Sequence, residues 1–511
     1  MKINSLSTIE SLLFKRFAND KIKAVNGILP GMISSLQRAT DRIAESKRNF
    51  EMITVVGGYD ADSVIGCAIL CSALEASNIA HRTVFSDRLS GYGITAPIVD
   101  AVEGGVVITV ANGTNALEAA KKARDRGLTL IITDNQPLRG DELPPAFAIV
   151  NPELQEGCEL KGISGASVAW LLASALRRGV DSQNDLDLLS IATLSSVADL
   201  SGANRVLARS GLGALNNSKR ACVEALRYSL DVKSFSYGDL TERITPIINA
   251  AGRVATAKAA FDFLRSNTIE QALDRYIQLD AFARERKAVD DKRYEKALTE
   301  IDNSHSAIVL SGDWHEEISG SVASKLARRF RKPVVLISSA SGVGKAQLDG
   351  HGGDLRAFLG ECGEELVEYD GGKTASTLKV RSDQIKHFEE NFSKAVSKYA
   401  LDEPDGYLGE LDLKLITPEL KEFIERFEPF ADNNPEPVFY AEDIQVRGSR
   451  FEEDEEAGRL EFIFPNGIEA EYCNPPKKDY KEHISFYYTL KFYEDDGEKK
   501  VLLNILKIKE F

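Results

Sequence analysis

The chain has 511 residues, 43% hydrophobic and 28% charged, an ordinary globular composition with room for about three or four domains. Its formal net charge of −15, from 63 Lys and Arg against 78 Asp and Glu, excludes a protein that coats nucleic acid through bulk positive charge; a local basic groove or a protein-binding face stays open. No apolar run has the length of a membrane span, and the opening MKINSLSTIESLLFKRFAND lacks a basic-then-apolar signal layout, so the expectation is a cytoplasmic protein with no membrane association.

Residues 1–50 read as an N-terminal helical segment, with Ile22, Val25 and Ile28, then Met32, Leu36 and Ile43, at helical spacing. From 51 to 215, apolar strands alternate with helical stretches. The strands are MITVVGG (52–58), HRTVFSD (81–87), GVVITVANG (105–113), LTLIITD (128–134) and FAIVNP (147–152). This alternation predicts an α/β domain, a parallel sheet with helices on both faces. Functional groups in such sheets gather at the carboxyl ends of strands. Tyr59-Asp60-Ala61-Asp62, Ala111-Asn112-Gly113 and Asp134-Asn135-Gln136 each fall there. Cys67 and Cys71, four apart in an apolar helical run, read as packing residues; none of the six cysteines shows metal-ligand spacing, and reduced thiols fit a cytoplasmic address.

Residues 216–302 form a helical connector ending in one long charged helix from about 266. A second α/β unit follows at 303–400, with SAIVLSG, SGSVASKLARRF, PVVLISS and GGKTASTLKV. From 401 to 511 short alternating strands read as a small antiparallel barrel or sandwich, with Glu452–Glu456 as a solvated loop. Its aromatics (among them Phe451, Phe462, Phe464, Tyr472, Phe486, Tyr487, Tyr488, Phe492 and Tyr493) would stack bases if exposed, although strand aromatics more often form core.

Asp60 and Asp62, two residues apart after a buried strand, can face one hard divalent cation. A pair of acids alone is a weak signal. Behind it come DRLSGYG (87–93), ITVANG (108–113), IITDNQ (131–136), NPE (151–153), GISGASVAW (162–170) and SSVADL (195–200). Then follow INAAGR (248–253), WHEEISGSVASKLARRFRKPVVL (314–336), DGGKTA (370–375) and FEPFADNNPEPVF (427–439). This ordered set resembles the RecJ family of DHH phosphoesterases over roughly residues 50 to 440. The resemblance implies a DHH domain, a connector helix, a DHH-associated domain and a C-terminal oligonucleotide-binding (OB-like) barrel. It also implies degradation of single-stranded DNA from the 5′ end with two metal ions, usually Mn²⁺.

The departures fall on the chemistry. Where the family reads His-Gly-Asp-Tyr-Asp-Ala-Asp-Gly, this chain has Val56 for the histidine and keeps Asp60 and Asp62. The aspartate of the family's VDNG string is Ala111; the Asp-His-His triplet is Asp134-Asn135-Gln136; the histidine of GGH is Lys373. The fourth motif places Ser196 at its aspartate, or Asp199 after a three-residue slip that nearly restores the helical facing. The residual set Asp60, Asp62, Asp134 and Asp199 is expected to hold at most one loosely bound Mn²⁺ or Mg²⁺, or none; Asp60 and Asp62 would serve equally as helix caps, and Asp134 as a loop brace. The resemblance points to Arg88 and Tyr92 in DRLSGYG, Asn249 and Arg253 in INAAGR, Lys345 in SGVGKAQ, and Lys373 as DNA-backbone contacts. Asn249 and Arg253 have an alternative role as braces, and His315 as a positioning group. SGVGKAQ fails as a P-loop, since Ser339 and Ala346 replace its first glycine and its hydroxyl residue. The expected function is a pseudo-nuclease that binds single-stranded DNA or a replication or repair protein; the alternative is an active 5′-to-3′ exonuclease with a rearranged metal site.

Overall fold

A computed structural model describes residues 1–88, 90–177, 185–196, 199–302, 305–312, 319–348, 353–398, 403–431, 433–453, 458–473, 475, 477–480, 482–495 and 498–509. His315 and most of the acidic run at 452–456 lie outside them. The chain divides into two compact units, Asn19–Lys287 on one side and Met1–Ala18 with Ala288–Phe511 on the other.

The expected N-terminal segment is thus divided. Strand β1 (Lys2–Ile3) pairs in parallel with a strand near residue 410, and Ile9 and Leu13 are buried in the core of that same unit. In the 22–32 stretch, where helical spacing was read, the backbone makes two short 3-10 turns around Pro30; a full helix starts at Leu36 (Leu36–Arg48).

In the Asn19–Lys287 unit, strands β2 (Ile53–Gly57), β3 (His81–Phe85), β4 (Val106–Val110), β5 (Thr129–Thr133) and β6 (Ala148–Val150) form a sheet in the order β3-β2-β4-β5-β6. All four pairings are parallel. β2 and β4 are buried along their whole length, which is why they read as unbroken apolar runs. Val55 and Val56 point to different apolar clusters, as successive strand residues must; Val56 is fully buried with Ile94, Val107 and Ile132. The reversal of strand order beside β2 puts the carboxyl ends of β2, β4 and β5 at the edge where the singled-out acids lie.

The connector helix is Ile269–Glu300. In the other unit, β7 (Ile308–Gly312), β8 (Val334–Ser338), β9 (Val343–Gln347), β10 (Leu366–Gly371) and β11 (Ala375–Val380) form a mixed sheet ordered β10-β11-β9-β8-β7. The C-terminal strands are β12 (Tyr407–Leu411), β13 (Val438–Gln445), β14 (Gly448–Glu453), β15 (Gly458–Ile463), β16 (Glu469–Cys473), β17 (His483–Asp495) and β18 (Glu498–Lys509). With β1 they make an eight-stranded sheet, β1-β12-β13-β17-β18-β16-β15-β14, whose pairings among the described residues give an open order. The antiparallel expectation is corrected here: β1 with β12, β12 with β13, and β16 with β18 run parallel. Between β12 and β13 the chain passes through the helix Pro418–Glu425, a crossover that returns it to the same end of the sheet. Alternating hydrophobicity marks a strand but not its direction. Phe462, Phe464, Phe486 and Tyr488 are buried, with Phe464 stacked on Phe486 at 5.1 Å between ring centroids, so these aromatics form core.

Candidate functional site

The chain leaves β2 through Gly58 and Tyr59 and enters the helix Ala61–Ala76, with Asp60 as its N-cap. Gly58 must be small: a Cβ there would lie 2.5 Å from the Tyr92 ring. The Asp60 carboxylate accepts a hydrogen bond from the Ser63 amide at 2.9 Å and one from the Tyr92 hydroxyl at 2.7 Å. Ser63, fully buried, accepts from the Gly58 amide at 2.6 Å and donates to the Val110 carbonyl at 2.7 Å, tying the ends of β2 and β4 together.

Asp62 does something no local pattern reveals. Its two oxygens accept from the Gly165 and Ala166 amides, each at 2.9 Å, the first free N–H groups of the helix Gly165–Leu176. A negative group there also answers the positive end of the helix dipole. Asp134 accepts from the Thr114 amide at 2.8 Å, the Asn135 amide at 2.8 Å and the Gln136 amide at 3.3 Å. All six oxygens of these three carboxylates therefore have a protein donor.

Asp60 and Asp134 both lie close enough to act on Asp62. Burial, then the charge of Asp60, and more weakly that of Asp134, push Asp62 up to about 7. Burial also raises Asp60 and Asp134 above the ordinary carboxylate range. Arg253, exposed, is the cation that opposes this at Asp60. Ala111 ends β4 in a left-handed conformation, φ 58°, and the helix at Gly165 comes so close that a Cβ on Gly165 would lie 2.2 Å from the Ala111 methyl. Asn135 and Gln136 are half-buried, and the Gln136 carbonyl accepts from the Asn151 amide group at 2.8 Å.

Among the expected DNA contacts of this unit, Tyr92 is committed to Asp60 and stands edge-on to Tyr59 at 5.1 Å. The Arg88 guanidinium lies over the Tyr59 ring at 5.2 Å. Asn249, in the helix Thr245–Val254, accepts from the Ala61 amide at 2.8 Å, and Gly252 packs so tightly that a Cβ would lie 2.0 Å from the Tyr59 carbonyl. The INAAGR string is thus a cradle for the loop that carries Asp60. Asp199 is exposed and accepts from the Ser201 amide at 3.0 Å, at the start of the helix Gly202–Asn217. In the other unit Lys345, on β9, donates to the Thr377 hydroxyl at 2.6 Å, and Lys373 pairs with Asp405. Among the described residues no group of three or more His, Cys, Asp or Glu side chains is arranged as a metal-binding set.

The sequence placed Asn112 at a strand end and Ser63 and Gly165–Ala166 beside or within the motif strings, but gave none of them a role. Asn112, buried, accepts from the Ile94 amide at 2.9 Å and donates to the Val110 carbonyl at 2.8 Å. The small-residue run Ser164-Gly165-Ala166 after a turn was the available signal for a helix start open to a carboxylate.

An α/β unit with carboxylates collected at the carboxyl edge of a parallel sheet is the class this geometry defines. Residues 52–195 match the model of the DHH family, N-terminal domain. The chain is 28% identical over 475 residues to the single-stranded-DNA-specific exonuclease RecJ of Escherichia coli, covering 83% of this chain and 81% of that protein. It is 27% identical over 443 residues to the RecJ of Bacillus subtilis, covering 82% of this chain but 56% of the relative. The crystal structure of Thermus thermophilus RecJ in complex with Mn²⁺ superposes with a TM-score of 0.74 at 24% identity, over 94% of this chain and 72% of that one. That of an exonuclease RecJ bound to manganese gives 0.55 at 26% identity, over 72% and 95%. Residues 52–195 thus carry the signature of a DHH-family N-terminal domain, and over most of its length the chain is similar to RecJ exonucleases.

Proposed function

We propose that this protein binds single-stranded DNA as a RecJ-like scaffold without degrading it, in replication, recombination or repair. The observation that carries the reading is Ala111. It ends the strand between those leading to Asp60 and Asp134, in a left-handed conformation that Asp and Asn tolerate far better than Ala, yet offers no oxygen donor. A backbone of this shape suits the aspartate that the family resemblance implies here, while alanine supplies no side-chain oxygen. Two-metal hydrolysis needs cations about 3.5–4 Å apart, with ligands that offset their repulsion. Asp60, Asp62 and Asp134, already bonded to backbone amides and Tyr92, with neutral Asn135 and Gln136 beside them, do not fit that pair.

A second reading has its own support. The three raised acids are a knot of negative charge that one divalent cation would relieve, so a single-metal exonuclease is the alternative. The solved relatives named above were crystallised with Mn²⁺. The OB-like assignment of residues 401–511, the five-part domain division and a replication or repair protein as partner belong to the same proposal. The free thiols fit a cytoplasmic address, and no helix among the described residues is long and apolar enough to cross a membrane.

The test uses 5′-labelled single-stranded DNA with Mn²⁺ and then Mg²⁺, reading degradation and gel shift from the same samples. The expected result is binding without degradation. Degradation abolished by an Asp60→Ala/Asp62→Ala double substitution would overturn the proposal in favour of the single-metal enzyme.

A further inference from the structure

Lys373 stands in the tight turn between β10 and β11, and that turn is held on both sides. The Gly372 amide bonds the Ala375 carbonyl at 2.8 Å, the Leu355 amide bonds the Lys373 carbonyl at 2.9 Å, and the Leu348 amide bonds the Thr374 carbonyl at 2.8 Å. Gly371 has φ 152°, and a Cβ on it would lie 2.4 Å from the Ala375 carbonyl, so only glycine fits. The backbone is fixed, and the freedom left to Lys373 is in its side chain.

That side chain is engaged. Its ammonium pairs with the Asp405 carboxylate, and the two side chains are only 21% and 26% exposed. Asp405 precedes β12 in a turn held by the Tyr407 amide on the Pro404 carbonyl at 3.2 Å and the Val438 amide on the Gly406 carbonyl at 3.0 Å. Two other charges bear on the pair. Asp405 acts on Arg16, whose guanidinium is fixed to Asn434 at 3.0 Å and to the Pro435 carbonyl at 2.6 Å; Lys373 acts on Asp354.

We propose that Asp405 is a built-in competitor for nucleic acid at Lys373: its carboxylate holds the place on the ammonium that a backbone phosphate of a bound strand would take. Carboxylate and phosphate are both oxyanions with the same donor requirement. Half-burial keeps the pair from being screened away by salt, so Asp405 opposes a strand both by neutralising the ammonium and by occupying one of its three donors. The inference rests on the proposed DNA-binding reading.

The experiment measures Kd for a 5′-labelled single-stranded oligonucleotide over a salt series. Asp405→Asn should tighten binding about fivefold and steepen the dependence of log K on log salt by about 0.7, the share of one phosphate contact on a single strand. Glu364→Gln, at an exposed acid, sets the baseline for removing one negative charge anywhere. In a Lys373→Ala background Asp405→Asn should act no more than that baseline. Asp405→Ser repeats the test if the amide disturbs the turn, with thermal unfolding as the check on folding. Binding by the unsubstituted protein with Asp405→Asn and Asp405→Ser no different from Glu364→Gln overturns the competitor and leaves the DNA-binding reading intact. No binding by any of these proteins overturns that reading, and the competitor with it.

Discussion

The acid-bearing edge of the parallel sheet and the aromatic core of the C-terminal sheet bury their polar groups in opposite ways. At the edge, Asp62 and Asp134 are 7% and 1% exposed, yet every carboxylate oxygen there is met by an amide or hydroxyl. In the core, the Tyr488 hydroxyl is buried among Phe439 and Phe486 and has no hydrogen-bond partner among the described residues. An unmet buried hydroxyl is tolerated when the ring's apolar surface outweighs it. A buried carboxylate costs far more to leave unmet, and the edge is wired by donors from five separate stretches of chain.

The comparison can be broken most forcefully at Gly252. Gly252→Ala drives a methyl into the Tyr59 carbonyl, 2.0 Å away, and should destabilise the protein by about 3 kcal/mol in urea unfolding. A loss below about 1 kcal/mol would mean the loop yields easily and the edge is not rigidly held.

Asp62→Ala comes next. It strands the Gly165 and Ala166 amides, a loss of about 2 kcal/mol where the carboxyl is neutral. Because burial and neighbouring acids raise Asp62 from 3.8 to about 7, the folded protein holds a proton that the unfolded chain releases. Its contribution is therefore full below about 3.8 and is lost as pH rises through about 7. Thermal unfolding of both proteins at pH 5 and pH 8 should show the penalty shrinking at the higher pH; an equal penalty at both would count against the charge cluster.

Asn249→Ala removes the acceptor from the Ala61 amide at a helix start and should cost about 1 kcal/mol. If Asn249 only braces, Asn249→Ser, which keeps a short neutral acceptor, should recover part of the loss. The smallest effect sharpens the other side: Tyr488→Phe should be neutral or stabilise by up to about 1 kcal/mol, since no partner is lost. A clear destabilisation would reveal a water or partner on that hydroxyl.

Much of the parallel-sheet unit was legible because buried parallel strands write themselves as apolar runs. MITVVGG became Ile53–Gly57 and LTLIITD became Thr129–Thr133, each a little shorter than its apolar string. What stayed hidden depends on long-range meetings. Asp62 meets amides 103 and 104 positions away, and no local spacing encodes that. The direction of β12 and β16 was likewise invisible, since alternation is the same for either direction. Lys373 read as a cation offered to phosphate; its carboxylate partner lies 32 residues on, in a different strand connection.

The pairing of Lys2 with Glu410 and Ile3 with Leu411 also bears on synthesis. The leading strand leaves the ribosome long before its neighbour exists. It must wait, unpaired, while the whole parallel-sheet unit is made and folds. Loss of residues 1–18, or a bulky fusion placed on them, should therefore be felt at the far end of the chain, as an unfinished C-terminal sheet, while the parallel-sheet unit folds undisturbed.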